Sequence, residues 1–172
     1  MITALRHLLA ILLLPFMVTV VVPYWLTNSF ATMDSQWGEG ALWIARSAGS
    51  VLLLSGLALF AWCVSLFAKV GQGTLAPWDP TIYMVAVGPY RYVRNPMISG
   101  VVLILIGEGV FRGSWILGTW AGIFILINHI YFILFEEPGL ENRFGEPYRV
   151  YKANVPRWIP RIRLSVRSDS ET

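Results

Sequence analysis

Long apolar runs constrain this chain more than any other feature of its sequence. An α-helix needs roughly 20 apolar residues to cross the ~30 Å hydrocarbon core of a bilayer. Four runs predict helices of this kind: Leu8–Leu26, Ala48–Ala68, Met97–Phe111 and Trp115–Phe135. The third run is shorter than the others, and we expect it to form a tight hairpin with the fourth through Arg112-Gly113-Ser114.

The balance of charged and apolar residues favours the same class of protein. Only 13% of the 172 residues are charged and 56% are hydrophobic, whereas soluble domains carry about a quarter charged residues. We therefore predict an all-α integral membrane protein with about four transmembrane helices. Residues 1–163 are expected to form one domain and residues 164–172 a disordered polar tail. The single cysteine, Cys63, is expected to pack within its apolar run.

The first apolar run also has features of a secretory signal peptide. It has a basic flank at Arg6 and a small-residue site at Ser29-Phe30-Ala31. Its apolar core is longer than the roughly 7 to 15 residues that such signals contain. We therefore predict a span that is retained.

Lysine and arginine residues set the expected orientation, because they concentrate on the cytoplasmic side of membrane proteins. If both termini are cytoplasmic, that side holds eleven of the 13 basic residues, and the outer side holds only Arg46 and Arg112. The predicted topology is therefore N-in and C-in. Short interfacial helices are predicted in the cytoplasmic tail from the spacing of Leu140, Phe144, Tyr148 and Tyr151, with breaks at Gly145 and Pro147.

The stretch GPYRYVRNPMISG, residues 88–100, is the first candidate for a binding site. Asn is a strong N-cap and Pro is favoured at the first helical position, so a helix is expected to begin at Asn95-Pro96. Its free N–H groups and positive dipole end, with Arg91 and Arg94 beside them, suit a carboxylate or a phosphate. The alternative is that both arginines only anchor the helix at the interface.

Glu136 and Glu137 are the second candidate, at the expected C-terminal end of the fourth helix, where the dipole disfavours carboxylates. A cation must compensate them, either a ligand or a tail residue such as Arg143 or Arg157. His129 lies two turns before Glu136 on the same helix face. It is a candidate for orienting a ligand or, alternatively, for a packing role.

Other parts of the sequence narrow the function further. Glu108 and Arg112 are four residues apart on the third helix and predict an interfacial ion pair. The sequence has no phosphate-binding glycine loop and no His or Cys cluster with metal spacing, so no metal is expected. The basic residues follow the predicted membrane face, and no nucleic-acid partner is expected.

In this order, these motifs resemble the isoprenylcysteine carboxyl methyltransferase and phospholipid methyltransferase superfamily. The resemblance covers about residues 70–163 and depends on GPYRYVRNPM at 88–97, Glu136-Glu137-Pro138, Phe144-Gly145, Tyr148, Tyr151 and Val155-Pro156-Arg157. Two positions depart from the pattern of many members, which have His at the position of Asn95 and Tyr at that of Ile98.

The resemblance implies a helical membrane methyltransferase that uses S-adenosyl-L-methionine, bound at the cytoplasmic end of the last spans. Carried over onto this sequence, the cofactor contacts are Gly88, Tyr90, Arg94, Asn95, Pro96, Gly100, Glu136 and Glu137. Our own candidates for catalysis are Glu137, His129 and Arg157, and a glutamate or His129 would be the base if the acceptor is an amine. The methyl acceptor would be lipid-like, prenylated or otherwise amphipathic, and would enter from the bilayer. A bacterial inner membrane is the expected location, with the site facing the cytoplasm.

Two other functions fit the same features. A membrane reductase with a nicotinamide cofactor would have a related helical fold, but its extra phosphates call for more basic contacts than Arg91 and Arg94 provide. A non-catalytic membrane partner protein of the same family is the other, and Ile98 is the residue that favours it.

Overall fold

The computed structural model describes residues 12–30, 39–72 and 82–160. The beginning of the first apolar run and the polar tail at 164–172 lie outside these ranges. Within the described ranges every regular element is a helix and there is no strand, which confirms the all-α prediction for this part of the chain.

The helices follow the apolar runs with small changes at their ends. A π-helical stretch at Leu12–Val21 continues into α1 (Val22–Ser29), and α2 (Glu39–Leu66) ends in a π-helical turn at Phe67–Gly71. A 3₁₀ turn at Gly88–Arg91 precedes α3 (Pro96–Arg112), and α4 (Trp115–Tyr131) continues through a π-helical stretch at Phe132–Glu136 into α5 (Glu137–Phe144). The last helix among the described residues is α6 (Glu146–Asn154).

Glycines bring α2 and α3 into close antiparallel contact. A Cβ added at Gly49 would lie 2.6 Å from the backbone nitrogen of Phe111, and one at Gly56 would lie 2.7 Å from the carbonyl oxygen of Gly100. Gly107 is equally tight against Leu53. Small residues let helix backbones approach closely in membrane proteins, and this pair makes the most extensive helix–helix contact within the described residues.

The predicted hairpin between α3 and α4 is present. Gly113 takes a left-handed conformation with φ 65°, and its N–H closes the end of α3 on the Val110 carbonyl. Ser114 then caps α4 by accepting a hydrogen bond from the Leu117 N–H at 3.3 Å. Leu117 and Ala121 of α4 are buried, and Ala121 packs in one core cluster with Val101 and Leu105 of α3.

Among the described residues, two helical stretches are long and apolar enough to cross a membrane, Gly40–Gly71 and Trp115–Phe144. Their most apolar windows are only 11% and 17% buried inside the protein, whereas the core helix of a soluble protein is mostly buried. Large side chains such as Trp43, Leu54 and Leu126 are more than half exposed. Exposed apolar surfaces of this extent mark sites of contact with a membrane or with another protein.

The fourth helix departs from the prediction at its C-terminal end. Glu136 and Glu137 do not end a helix, because the chain continues without a break through the π-helical stretch into α5. Pro138 donates no backbone N–H to this continuous helix, and the π-helical stretch directly before it is where the regular α-helical bond pattern changes. The dipole argument that placed two carboxylates at a helix C-terminus was therefore wrong. The helix ends at Gly145 instead, where φ is 62°.

Candidate active site

A buried carboxylate with three cations lies where α5, α6 and the segment before α3 meet. Glu137 is 5% exposed. Its Oε1 atom is 2.7 Å from Nε and 2.7 Å from Nη2 of Arg157 and 3.1 Å from Nη1 of Arg94. Its Oε2 atom is 3.2 Å from Nζ of Lys152. We call these four residues the Glu137 cluster. Buried charges need such pairing to offset their desolvation.

The C-terminal part of the chain supplies two of these cations and is fixed at several other points. We call residues 146–160 the C-terminal clasp. The backbone N–H of Arg94 donates to the Pro156 carbonyl at 2.9 Å, and the Tyr151 hydroxyl donates to the Tyr90 carbonyl at 2.7 Å. Trp158 Nε1–H donates to His129 Nδ1 at 3.1 Å. The clasp therefore holds the 3₁₀ turn, α4 and α5 together.

A cleft lies beside the cluster, enclosed by the end of α2, the segment 84–95, the helix around Glu136 and the clasp. Its volume is about 90 Å³, below the roughly 300 Å³ of most ligand pockets, so a nucleotide-sized ligand would have to widen it. The lining residues are Phe67, Met84, Val85, Tyr90, Arg94, Asn95, Glu136, Leu140, Phe144, Tyr148 and Tyr151.

Two ionisable groups of the cleft have unused bonding capacity. Within the described residues Glu136 has no ion pair or hydrogen bond from its carboxylate. Arg94 is largely buried, yet Nε and Nη1 have no hydrogen-bond partner. Nη1 is within ion-pair distance of Glu137, but the geometry does not make a hydrogen bond. Unsatisfied buried donors are uncommon and call for an explanation, and an anionic ligand group would supply one.

Aromatic side chains form much of the remaining lining. Tyr90 is 5% exposed, and its ring stacks on Phe67 with 5.7 Å between centroids. Burial raises the pKa of Tyr90 well above its usual range. Burial, with the Glu137 carboxylate adding to it, raises the pKa of Tyr148 to about 12. Both phenols therefore stay protonated at neutral pH and present neutral hydrogen-bonding groups and ring faces.

Four of the predicted site residues line the cleft together: Tyr90, Arg94, Asn95 and Glu136. The other predicted residues do not line it. Glu137 and Arg157 are paired in the cluster, and His129 accepts the Trp158 hydrogen bond. Gly88 faces Leu66 and Trp62, and Gly100 faces α2, where an added Cβ would be 3.0 Å from the Gly56 carbonyl. Pro96 is the buried first residue of α3. The functional roles of all these residues stay predictions.

The helix start at Asn95-Pro96 is confirmed, but by different bonds from those expected. The Asn95 side chain makes no capping hydrogen bond. Instead the Asn95 backbone carbonyl accepts from the N–H and the hydroxyl of Ser99, both at 3.0 Å. The Asn95 amide is therefore uncommitted to α3, and its position in the cleft wall makes it available to a ligand.

Sequence reasoning missed Lys152 and placed Tyr148 and Tyr151 on an interfacial face. All three lie on α6, which packs back on α5 through the bend at Gly145. Their spacing of three and four residues indicated one helix face, but nothing local indicated that this face turns towards Glu137. The predicted Glu108–Arg112 ion pair is also absent from the described residues, where Arg112 Nη1 donates to the Thr27 hydroxyl at 3.4 Å.

Comparison with known proteins identifies a family whose sequence model matches this chain. The family model for phospholipid methyltransferase matches residues 44–147, more than half of the chain. An uncharacterized protein of Haemophilus influenzae is 38% identical over 65 residues, which are 37% of this chain and 100% of that protein. No solved structure matches the chain.

Proposed function

We propose that this chain, which belongs to the phospholipid methyltransferase family, transfers a methyl group from S-adenosyl-L-methionine to a lipid-like acceptor at the cytoplasmic membrane face. Family membership implies methyltransferase activity. The cofactor, the acceptor class and the orientation are our proposals. These proposals are supported by the cleft. Its lining combines aromatic side chains with the unpaired Glu136 carboxylate and with Arg94, which has unused hydrogen-bond donors.

The chemistry of the cleft residues fits the groups of the cofactor. S-adenosyl-L-methionine carries an ammonium, a carboxylate, a sulfonium and an adenine. Glu136 suits the ammonium, and Arg94 with the Asn95 amide suits the carboxylate. The faces of Tyr90 and Phe67 suit the sulfonium or the adenine. Because the cavity is small, we propose that the clasp moves outward to admit the cofactor and then closes over it.

When bound, the cofactor supplies an activated methyl group, whose carbon–sulfur bond breaks as the acceptor's lone pair forms the new bond. The protein's contribution to such an in-line displacement is alignment and exclusion of water. Leu140 and Phe144 give the cleft an apolar side suited to excluding water. A carboxylate acceptor needs no base, whereas an amine acceptor must lose a proton for the transfer to occur.

We assign positioning roles to the three residues predicted as catalytic. Glu137 and Arg157 hold the clasp against α5, and Glu137 also fixes the guanidinium of Arg94 beside the cleft. His129 fixes the clasp through Trp158. None of the three needs to contact the reacting atoms for these roles.

We also propose four spans with both termini in the cytoplasm, in a bacterial inner membrane. The two long apolar helices and the shorter α3 support this number, with α1 and its π-helical extension as the first span. The lopsided distribution of Lys and Arg supports the orientation. The exposed apolar sides of α2 and α4 would let an acceptor reach the protein from within the bilayer.

Calorimetry on the purified protein in detergent tests this proposal. The titrants are S-adenosyl-L-methionine, its demethylated product S-adenosylhomocysteine, and NADPH. We expect both adenosyl compounds to bind and NADPH not to bind. Transfer of labelled methyl groups into a bacterial lipid extract is the second measurement. Binding of NADPH alone would support a reductase, and binding of none of the three would support a non-catalytic partner protein.

A further inference from the structure

An apolar groove between α1 and the first half of α4 lies at the other end of the protein from the cleft. Trp115 begins α4 and Glu136 lies 21 residues later, which corresponds to roughly 30 Å along a helix at ~1.5 Å per residue. The groove therefore belongs to the opposite membrane boundary. Its lining residues are Leu26, Phe30, Trp115, Ile116, Thr119, Trp120 and Ile123.

The polar groups along this groove are satisfied within the protein. The Thr119 hydroxyl donates to the Trp115 carbonyl at 3.0 Å, and Trp120 Nε1–H donates to the Val18 carbonyl at 3.2 Å. The volume of the groove is about 290 Å³, at the lower end of the range for ligand sites. A volume of this kind accommodates an aliphatic chain and offers no partner to a polar ligand.

The guanidinium of Arg112 lies next to the groove. Arg112 is at the end of α3, three residues before Trp115, and its Nη1 atom is 3.4 Å from the hydroxyl of Thr27, which follows Leu26. Among the described residues no carboxylate lies within ion-pair distance of Arg112, and the Glu108 carboxylate, one turn away, interacts with it only electrostatically. A guanidinium has five N–H donors in a planar fork, so a single long bond to Thr27 leaves most of them available.

We propose that this groove binds one glycerophospholipid of the bilayer, with an acyl chain between α1 and α4 and the phosphate on Arg112. Arginine suits phosphate because its fork makes paired charge-assisted hydrogen bonds. The site is separate from the methyl-transfer cleft and does not depend on the proposed cofactor, but it does depend on the chain spanning a membrane.

Native mass spectrometry of the delipidated full-length protein tests the site, with added phosphatidylglycerol and diacylglycerol of the same acyl chains. We expect one phosphatidylglycerol per chain, bound about tenfold more tightly than the diacylglycerol. Arg112→Gln should remove this preference. Thr119→Trp should fill the groove and lower the affinity for both lipids about tenfold. The matched controls are Arg46→Gln, at the other arginine predicted on the outer side, and Leu126→Trp, at another exposed position of α4. Neither control should change the affinity for either lipid.

Three results would overturn the proposal. Equal binding of the two lipids by the unaltered protein would remove the role of Arg112. Equal loss of lipid from the groove variants and from their controls would indicate only unspecific lipid around the helices. A lipid-free dimer under the same conditions would show that a second copy of the chain occupies this face.

Discussion

Glu136 and Glu137 are adjacent in the chain, yet they belong to regions with opposite properties. On the cluster side, the Glu137 carboxylate is buried and paired with three cations from three segments. On the cleft side, Glu136 faces a small aromatic cavity and has no partner among the described residues. The two carboxylates therefore differ in what they do. Glu137 holds the helices and the clasp together, whereas Glu136 is left available to a ligand.

The Glu137 cluster positions Arg94, which also lines the cleft. Arg94 contributes to both regions, because its Nη1 atom approaches Glu137 while two of its nitrogens stay without a hydrogen-bond partner. Its backbone is fixed independently by Pro156. The guanidinium is therefore held in place before any ligand binds, and preorganisation of this kind reduces the ordering cost of binding.

The largest expected effect is on the cluster. Glu137→Gln leaves Arg94, Lys152 and Arg157 without their shared anion, and breaking a buried pair in this way costs about 3–5 kcal/mol. We expect a marked fall of the thermal midpoint in detergent. Glu146→Gln, at a side chain that is 73% exposed, is the control and should leave the midpoint unchanged. Equal midpoints for the two variants would contradict the holding role of Glu137.

A smaller and different effect is expected on the cleft side. Glu136→Gln removes the proposed partner of the cofactor ammonium, and a hydrogen bond to a charged group contributes about 1.5–3 kcal/mol. Affinity for S-adenosylhomocysteine should fall roughly 10- to 100-fold in calorimetry, while the thermal midpoint stays within error of the unaltered protein. If stability falls and affinity does not, the two carboxylates have been assigned the wrong way round.

A substitution in the α2–α3 contact tests whether Gly100 contacts the cofactor or only allows the two helices to pack closely. An added Cβ would be 3.0 Å from the Gly56 carbonyl and 3.1 Å from the Phe60 nitrogen, and overpacking of this kind costs about 1–3 kcal/mol. Gly100→Ala should lower the thermal midpoint without changing cofactor affinity. Gly118→Ala is the matched control, because nothing lies within 4 Å of its added Cβ. A selective loss of affinity would restore the predicted cofactor contact at Gly100.

The smallest effect is expected where the clasp meets the 3₁₀ turn. Tyr151→Phe removes the hydrogen bond to the Tyr90 carbonyl, which contributes about 0.5–1.5 kcal/mol. We expect a few-fold loss of S-adenosylhomocysteine affinity through faster dissociation, measured by stopped flow. Tyr131→Phe, at an exposed position of α4, is the control. An unchanged dissociation rate in Tyr151→Phe would show that the clasp does not close the cleft.

Local patterns predicted much of this structure. Apolar run lengths located the helices, the Asn95-Pro96 pair located the start of α3, and Gly113 located the hairpin. These features depend on residues close together in the sequence. Arg157 was predicted as a cation that could compensate the two glutamates, and its pairing with Glu137 confirms this. The contact of Glu137 with Lys152 could not be predicted in the same way, because it depends on how α6 folds back after Gly145. The continuous helix through Glu136 was missed because Pro138 indicates a helix start as readily as a helix end.

The most direct test of the central claim compares two ligands on two proteins. The ligands are S-adenosylhomocysteine and its analogue without the amino group, and the proteins are the unaltered chain and Glu136→Gln. If Glu136 binds the ammonium, removing the amino group should weaken binding at least tenfold in the unaltered protein and have almost no effect in the variant, a coupling that a double-mutant cycle measures. Equal losses in both proteins would show that Glu136 and the amino group do not interact, and would contradict the account of the cleft.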